Sequence, residues 1–361
     1  MELRSHHFDM HRTGFRLLGA AMALGITMVT AAGEPVAGSP ATAAAPGGAN
    51  IQAGAVYDIS HRLKVDELPA DAASVRIWFW IPEDDVAQRT HSFTVADAPS
   101  DFLIVRDPAT GSRFFYAELH RPGTDSIQID TSFVVERLRY AVALDAGKCG
   151  TMSDAERSML AEDLRTDTPN MEVTDEIRAL ADSICGAETN VVRQVEMLYA
   201  YVVDETDHYS KGENAPKSSG VGSAEYCIEK KGGGCTDQHA LFIALARARD
   251  IPTRLSFGSR LQAKNEGKAV DPGYRCWVEY YVPSIGWAPM DCAAGDTVEG
   301  MRDFYRSGLD EQRIRFCHGR QLELAGAAHP VDYFIGAYVE VDGRTHTALS
   351  REMVFTRHQN P

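Results

Sequence analysis

A cysteine stands where a glycine run meets an apolar helical pattern: Gly232-Gly233-Gly234-Cys235-Thr236-Asp237, then QHALFIALARAR and a stop at Asp250-Ile251-Pro252. This spacing predicts a helix over 235–249 with the thiol in its first turn. Unpaired backbone N–H groups and the positive end of the helix dipole meet there, which favours thiolate and offers donors to an oxyanion. Gly233 and Gly234 would let the backbone of a bound chain come close. Asp237 places a negative charge near the same thiol, so the residues alone leave the sign of the net effect open. The other role open to Cys235 is that of a buried small hydrophobe or half of a disulfide.

Forty residues on, Arg275-Cys276-Trp277-Val278-Glu279-Tyr280-Tyr281-Val282 is followed by Pro283-Ser284-Ile285-Gly286 and Trp287-Ala288-Pro289-Met290-Asp291, a hairpin that ends on a carboxylate. GGGCTDQHALFIALARARDIPTR, GYRCWVEYYVPSIGWAPMD and RIRFCHGRQLEL, in this order, resemble the core of the transglutaminase-like superfamily, in particular its exported bacterial members with a β-rich domain ahead of the core. The resemblance is close over about residues 190–340 and looser before them. It implies a papain-like Cys/His/Asp triad and acyl transfer or hydrolysis at peptide or glutamine amides through a cysteine thioester. Cys235 matches the nucleophile and Asp291 the acid. Position 275, where members with an intact triad carry histidine in a run H-C-W-x-E, holds arginine.

Arginine stays protonated and has no acceptor atom, so Arg275 cannot take a thiol proton. General acid/base help is typically worth 10²- to 10⁴-fold. A guanidinium can still favour thiolate electrostatically. If a hairpin bulge at Gly286 sets Asp291 diagonal to Arg275, an Arg275–Asp291 ion pair is expected in place of the histidine–aspartate pair. Two histidines are candidate substitute bases. His239 lies one helical turn beyond Cys235, where a buried histidine bonded to backbone is the plainer expectation, and His318 lies in Phe316-Cys317-His318-Gly319-Arg320.

Trp277 and Trp287 read mainly as packing residues, and as aromatics that would line a binding groove if they border Cys235. Glu279 is either a surface residue or part of a polar network behind the site. No C-x₂-C pair is present, so neither a metal nor a cofactor is expected. Seven cysteines leave at least one thiol free, with Cys235 the favoured one; Cys149–Cys185, Cys292–Cys317 and Cys227–Cys276 are the guessed pairs.

The elements that must hold these residues can be read more coarsely. Arg12 and Arg16, an apolar run over 17–29 and the small residues Thr30, Ala31 and Ala32 have the parts of an export signal over 1–32, and a Pro/Ala/Gly tract over 33–53 reads as a disordered tether. Short alternating runs then predict a β-sandwich over 54–145. A helical connection follows over 146–205, opened by a capping box at Ser153 and Glu156. The transglutaminase-like unit is expected over 206–361, with strands near 253–261, 275–282 and 287–291 and a terminal set near 333–341 and 353–357. The fold class is α+β, a cysteine-bearing helix on an antiparallel sheet preceded by a β-sandwich.

The 361 residues, 44% of them hydrophobic, suffice for two cores, and a formal charge of −15 argues against nucleic acid. The expected partner is a peptide or protein, with a cell-envelope peptide one option, outside the cytoplasm and with no membrane span once the signal is removed. The leading functional expectation is an exported member with turnover weakened or lost and binding kept. The rivals are an active cysteine acyltransferase or peptidase using His239 or His318, and a structural envelope module.

Overall fold

A computed structural model of the protein describes residues 27–29, 48–98, 101–332 and 334–359. The expected export signal and most of the tether lie outside these residues. Of that region, Thr27–Val29 (β1) pairs with Phe102–Ile104. The next strand, Ala49–Val65 (β2), begins inside the tract expected as a tether and runs for 17 residues.

The chain is α+β with a sheet-rich N-terminal part, as expected. Ser74–Trp80 (β3), Gln88–Asp97 (β4), Phe102–Arg106 (β5), Arg113–His120 (β6) and Ile127–Val142 (β7) build two antiparallel sheets with β2. β2 alternates buried and exposed positions, and β7 buried and half-buried ones, over most of their length, the mark of strands with one face on a core. Trp78, Phe79 and Trp80 are all fully buried, so β3 is covered on both faces. The two sheets meet where His61 of β2 and Phe79 of β3 bring their rings to 4.6 Å.

The helices begin where side chains can cap them. Ser153 and Glu156 form the expected capping box at Asp154–Met159 (α1). Thr174 caps Asp175–Cys185 (α2) and Asn190 caps Val191–Glu205 (α3). Asp207–His208 (β8), Ala224–Lys230 (α4) and Gly232–Gly233 (β9) then lead into Cys235–Ala248 (α5). α5 is buried on every side from Cys235 to Arg247. Leu241, Phe242, Ile243 and Leu245 each leave water completely, worth roughly 1.5–3 kcal/mol apiece.

Thr253–Arg260 (β10), Arg275–Val282 (β11), Gly286–Met290 (β12) and Arg313–His318 (β14) form the sheet against which α5 packs, in the order β12-β11-β10-β14. Cys292–Thr297 (α6), Arg302–Tyr305 (α7) and Gly308–Leu309 (β13) connect β12 to β14. The terminal strands do not stay with this sheet. Ala337–Val341 (β15) pairs with β3 and with Arg344–Thr345 (β16), and Leu349–Gln359 (β17) pairs with β2 from Leu349↔Val65 to Gln359↔Ala55. The final strands therefore complete the N-terminal sheets, a departure from the single cut expected at residue 206. Pairings this distant leave no mark in local periodicity. Among the described residues no helix is long and apolar enough to cross a membrane.

Candidate active site

Cys235 begins α5 with 6% of its surface exposed. Gly233 has φ of 149°, and a Cβ there would come within 2.5 Å of the Asp237 carboxylate. At Gly234 a Cβ would meet Ser218 Oγ at 2.7 Å. The two glycines thus permit a tight wrap of the loop around Asp237. The fully buried Asp237 carboxylate accepts from the N–H groups of Gly234 (2.7 Å), Ser219 (3.0 Å) and Ser223 (2.9 Å) and from the Ser219 hydroxyl. These donors answer its charge, so Asp237 shapes the loop rather than opposing the thiolate.

The thiol itself is held well below its ordinary pKa. The first cause is a hydrogen bond from the Cys276 thiol, which outweighs burial; a hydrogen bond from His208 and the charge of Arg275 act in the same direction. Cys276 is driven the other way, well above the ordinary value, by its own burial and by the neighbouring Cys235 sulfur. One proton is thus shared unevenly, with thiolate at Cys235 and thiol at Cys276. Thr236 Oγ1 lies 3.9 Å from the first sulfur and 3.3 Å from the second.

His239 is fully buried and lies behind Cys276, not against the nucleophile. Its Nε2 accepts the Cys292 backbone N–H at 3.1 Å, which places the proton of the neutral ring on Nδ1, 3.2 Å from Cys276 Sγ. Asp291 Oδ1 is also near Nε2, at 3.4 Å. The shorter contact comes from a backbone donor that cannot turn away, so the acceptor role of Nε2 is the one the geometry fixes. The plainer expectation for His239, a buried helix histidine bonded to backbone, matches this placement.

The expected Arg275–Asp291 ion pair is not formed. Asp291 leaves the β12 strand to cap α6, where Oδ1 accepts from Ala294 N–H at 2.8 Å, and Oδ2 takes the guanidinium of Arg313 at 2.6 and 3.1 Å. The hairpin has three residues between its paired ends, with Val282 opposite Gly286 and Val278 opposite Met290. Helix capping redirects the carboxylate, and the buried, two-pronged Arg313 wins it. Arg275 donates to the Tyr274 carbonyl at 3.1 Å. It lines a cavity of about 190 Å³ together with Arg260, Tyr274, Met353 and Phe355.

His318 is also placed away from the thiol. Its Nδ1 receives Arg315 Nη2 at 2.8 Å and lies 3.3 Å from Glu83 Oε2. Glu279 belongs to the same cluster, with Arg315 at 2.8 Å and Arg254 at 2.5 Å, behind the site as one of its two expected roles had it. Trp277 is fully buried and serves packing; Trp287 is partly exposed under the Arg254 guanidinium, 4.1 Å from its ring. All seven cysteines are free, so none of the guessed disulfides is present. Among the described residues no cluster of His, Cys, Asp or Glu could hold a metal.

Two residues that matter here were not singled out from sequence. Arg313 opens the third motif, RIRFCHGRQLEL, but nothing local says that it answers Asp291. His208 reaches Cys235 through a parallel bridge of β8 and β9, which sets His208 beside Gly233. A two-residue bridge has no periodic signature.

The model of the transglutaminase-like superfamily matches residues 178–292, a span that holds His208, Cys235, Arg275 and Asp291. The chain therefore carries a transglutaminase-like domain. An uncharacterized protein of Haemophilus influenzae is 29% identical over 223 residues, and the match spans 53% of this chain and 59% of that protein. A proposed cysteine protease from Cytophaga hutchinsonii superposes with a TM-score of 0.57 at 14% identity, covering 87% of this chain and 93% of its own, a likeness of fold. The periplasmic domain of TgpA from Pseudomonas aeruginosa aligns at 16% identity with a TM-score of 0.31, over 67% of this chain and 88% of its own.

Proposed function

We propose that the protein is a thiol-dependent acyl-transfer protein of the transglutaminase-like class, with Cys235 as nucleophile toward a peptide-type amide. The single observation behind this reading is the Cys235 thiol at the start of α5, held toward thiolate by Cys276 and His208. A thiolate in a helix's first turn would attack a carbonyl carbon, with first-turn N–H groups as donors to the oxyanion. The thioester is then open to water, giving hydrolysis, or to an amine, giving cross-linking. Export through an N-terminal signal and a peptide or cell-envelope partner belong to this proposal, as does the division into a sheet-rich unit, a helical connection and a thiol-bearing unit.

A second reading has one observation in its favour: Arg275 stands where a base is expected. On that reading the site binds a peptide and forms at most a stable thioester. Amine incorporation into a casein acceptor and cleavage of casein, measured for wild type, Cys235→Ala and Arg275→His, separate the two. Turnover by wild type that Cys235→Ala abolishes supports the acyl-transfer reading. Turnover gained only in Arg275→His supports the binding reading.

A further inference from the structure

We propose that the cavity bordered by Arg260 and Arg275 takes a carboxylate of the bound peptide, so that the site selects acidic peptides. That the ligand is the peptide acted on at Cys235 rests on the reading above; the cavity and its charge do not. β10 and β11 set Gly258 opposite Arg275, and Arg260 stands two residues further along β10. The two arginines are therefore diagonal neighbours on one face of the sheet, a spacing that long side chains can bridge. Both line the cavity of about 190 Å³, with Gln262, Asn265 and Tyr274. One water needs roughly 10–15 Å³ of such volume, so a carboxyl-bearing side chain has room.

Neither arginine has an anion of its own. Among the described residues they form no ion pair, whereas Arg313 and Arg315 on neighbouring β14 each hold at least two carboxylates. Arg275 donates to the Tyr274 carbonyl at 3.1 Å, and the Arg260 Nε–H is buried with no hydrogen-bond partner. Asp310 feels the Arg260 charge, but its oxygens are taken by Arg313, the Tyr305 hydroxyl and the Gln312 N–H. Asp271 also lines the cavity; its side chain is 66% exposed and accepts from Gly273 N–H at 2.7 Å and Arg351 at 3.4 Å. Two cations against one engaged carboxylate leave the cavity positive in a chain of formal charge −15. Guanidinium N–H groups form a planar fork that fits a carboxylate in pairs.

One wall of the cavity touches the helix that bears the thiol. Tyr274 OH is 3.2 Å from Thr236 Oγ1, which lies 3.9 Å from Cys235 Sγ. A peptide whose amide reaches Cys235 can pass Tyr274 and set an acidic side chain, or its own C-terminal carboxylate, in the cavity. A neutral isostere would leave the arginines unanswered, which is how a polar site rejects an analogue. Arg275 then serves at the histidine position by selecting the ligand instead of moving protons.

Binding to the Cys235→Ala protein separates this claim from turnover. Titration calorimetry would compare a capped alanine pentapeptide carrying glutamate at each position in turn with its glutamine counterparts. A form ending in a free carboxylate and inorganic phosphate complete the set. The best carboxylate peptide should bind about tenfold or more tighter than its neutral counterpart, and whether it carries glutamate or a free C-terminus names the source. Arg260→Gln and Arg275→Gln should each remove most of that preference, and Arg260→Lys, which keeps the charge, should retain part of it. Both arginines are partly exposed, so the urea midpoints of these variants should stay near that of the parent. Equal affinity of charged and neutral peptides, or a preference that survives in both glutamine variants, overturns the proposal. Phosphate bound as tightly as the best peptide overturns it too, since the cavity would then serve a free anion. A wild type without casein turnover counts against the nucleophile reading alone, because the peptide preference is measured without the thiol.

Discussion

Asp291 is bound by Arg313, not by Arg275: two guanidinium nitrogens of Arg313 reach one carboxylate oxygen at 2.6 and 3.1 Å, with both side chains under 5% exposed. The Arg313 charge, with the help of the Ala294 N–H, holds Asp291 below the ordinary carboxylate range against a burial effect that would raise it. Asp310 engages the other side of the same guanidinium.

Arg313→Met should therefore leave two buried carboxylates without their cation. Loss of one partner of a buried pair costs about 3–5 kcal/mol. Arg275→Ala, which removes a partly exposed residue bonded to one carbonyl, should cost less than about 1 kcal/mol. Urea denaturation of both variants checks the ranking, and the reverse order would return Asp291 to Arg275.

Acid should unfold the protein through the cluster that ties β14 to the N-terminal sheets. Burial would raise Glu83 and Glu279, but Arg315 acts on both, with Arg254 the larger partner of Glu279, and holds each at about 2 instead of 4.5. A depressed carboxylate stabilises the fold fully above its unfolded pKa and loses that contribution as pH falls through the folded one. Stability should thus drop between about pH 5 and pH 2. Glu279→Gln should be less stable at pH 7 and show a shallower decline with acid. A slope unchanged from wild type would remove Glu279 from this role.

Asp237→Asn tests whether the loop ahead of Cys235 is organised by charge. The amide offers one acceptor where the carboxylate receives donors from Gly234, Ser219 and Ser223, and each unmet buried donor costs about 1–3 kcal/mol. Both thermal stability and the rate of Cys235 alkylation should fall. An alkylation rate equal to wild type would mean that the loop holds without the charge.

The Cys276 thiol should be replaceable by a donor and not by a hydrocarbon. Cys276→Ser keeps a proton for the Cys235 sulfur, whereas Cys276→Ala removes the largest influence lowering its pKa. The alanine variant should need higher pH to react with iodoacetamide, and the serine variant should stay near wild type. Equal pH profiles for the two would deny Cys276 this role.

Much of the thiol-bearing unit was legible in the chain because its signals are local. The glycine run, the apolar period of α5 and the stop at Pro252 place Cys235 at a helix start, and the Pro283-to-Gly286 turn fixes the register of the hairpin that ends at Asp291. The capping box of α1 was legible for the same reason. What could not be read is pairing across distance. Arg313 answers Asp291 only after β14 has joined β10 and α6 has turned the carboxylate inward. His208 meets Cys235 only through a two-residue bridge. β15 and β17 leave the sheet that precedes them in sequence because the N-terminal strands offer edges that only the finished topology reveals.

The pH dependence of Cys235 alkylation is the most direct measurement of whether a poised nucleophile exists. In a Cys149→Ser background, removing the partly exposed thiol, iodoacetamide labelling would be followed site by site by mass spectrometry. Cys276 and Cys292 are pushed well above the ordinary range by burial, and Cys227 to about 12. Cys235 alone should react in the native protein with a midpoint well below the roughly 8.5 of a free thiol. A Cys235 that titrates like a free thiol, or stays unlabelled while the protein is folded, would contradict the account.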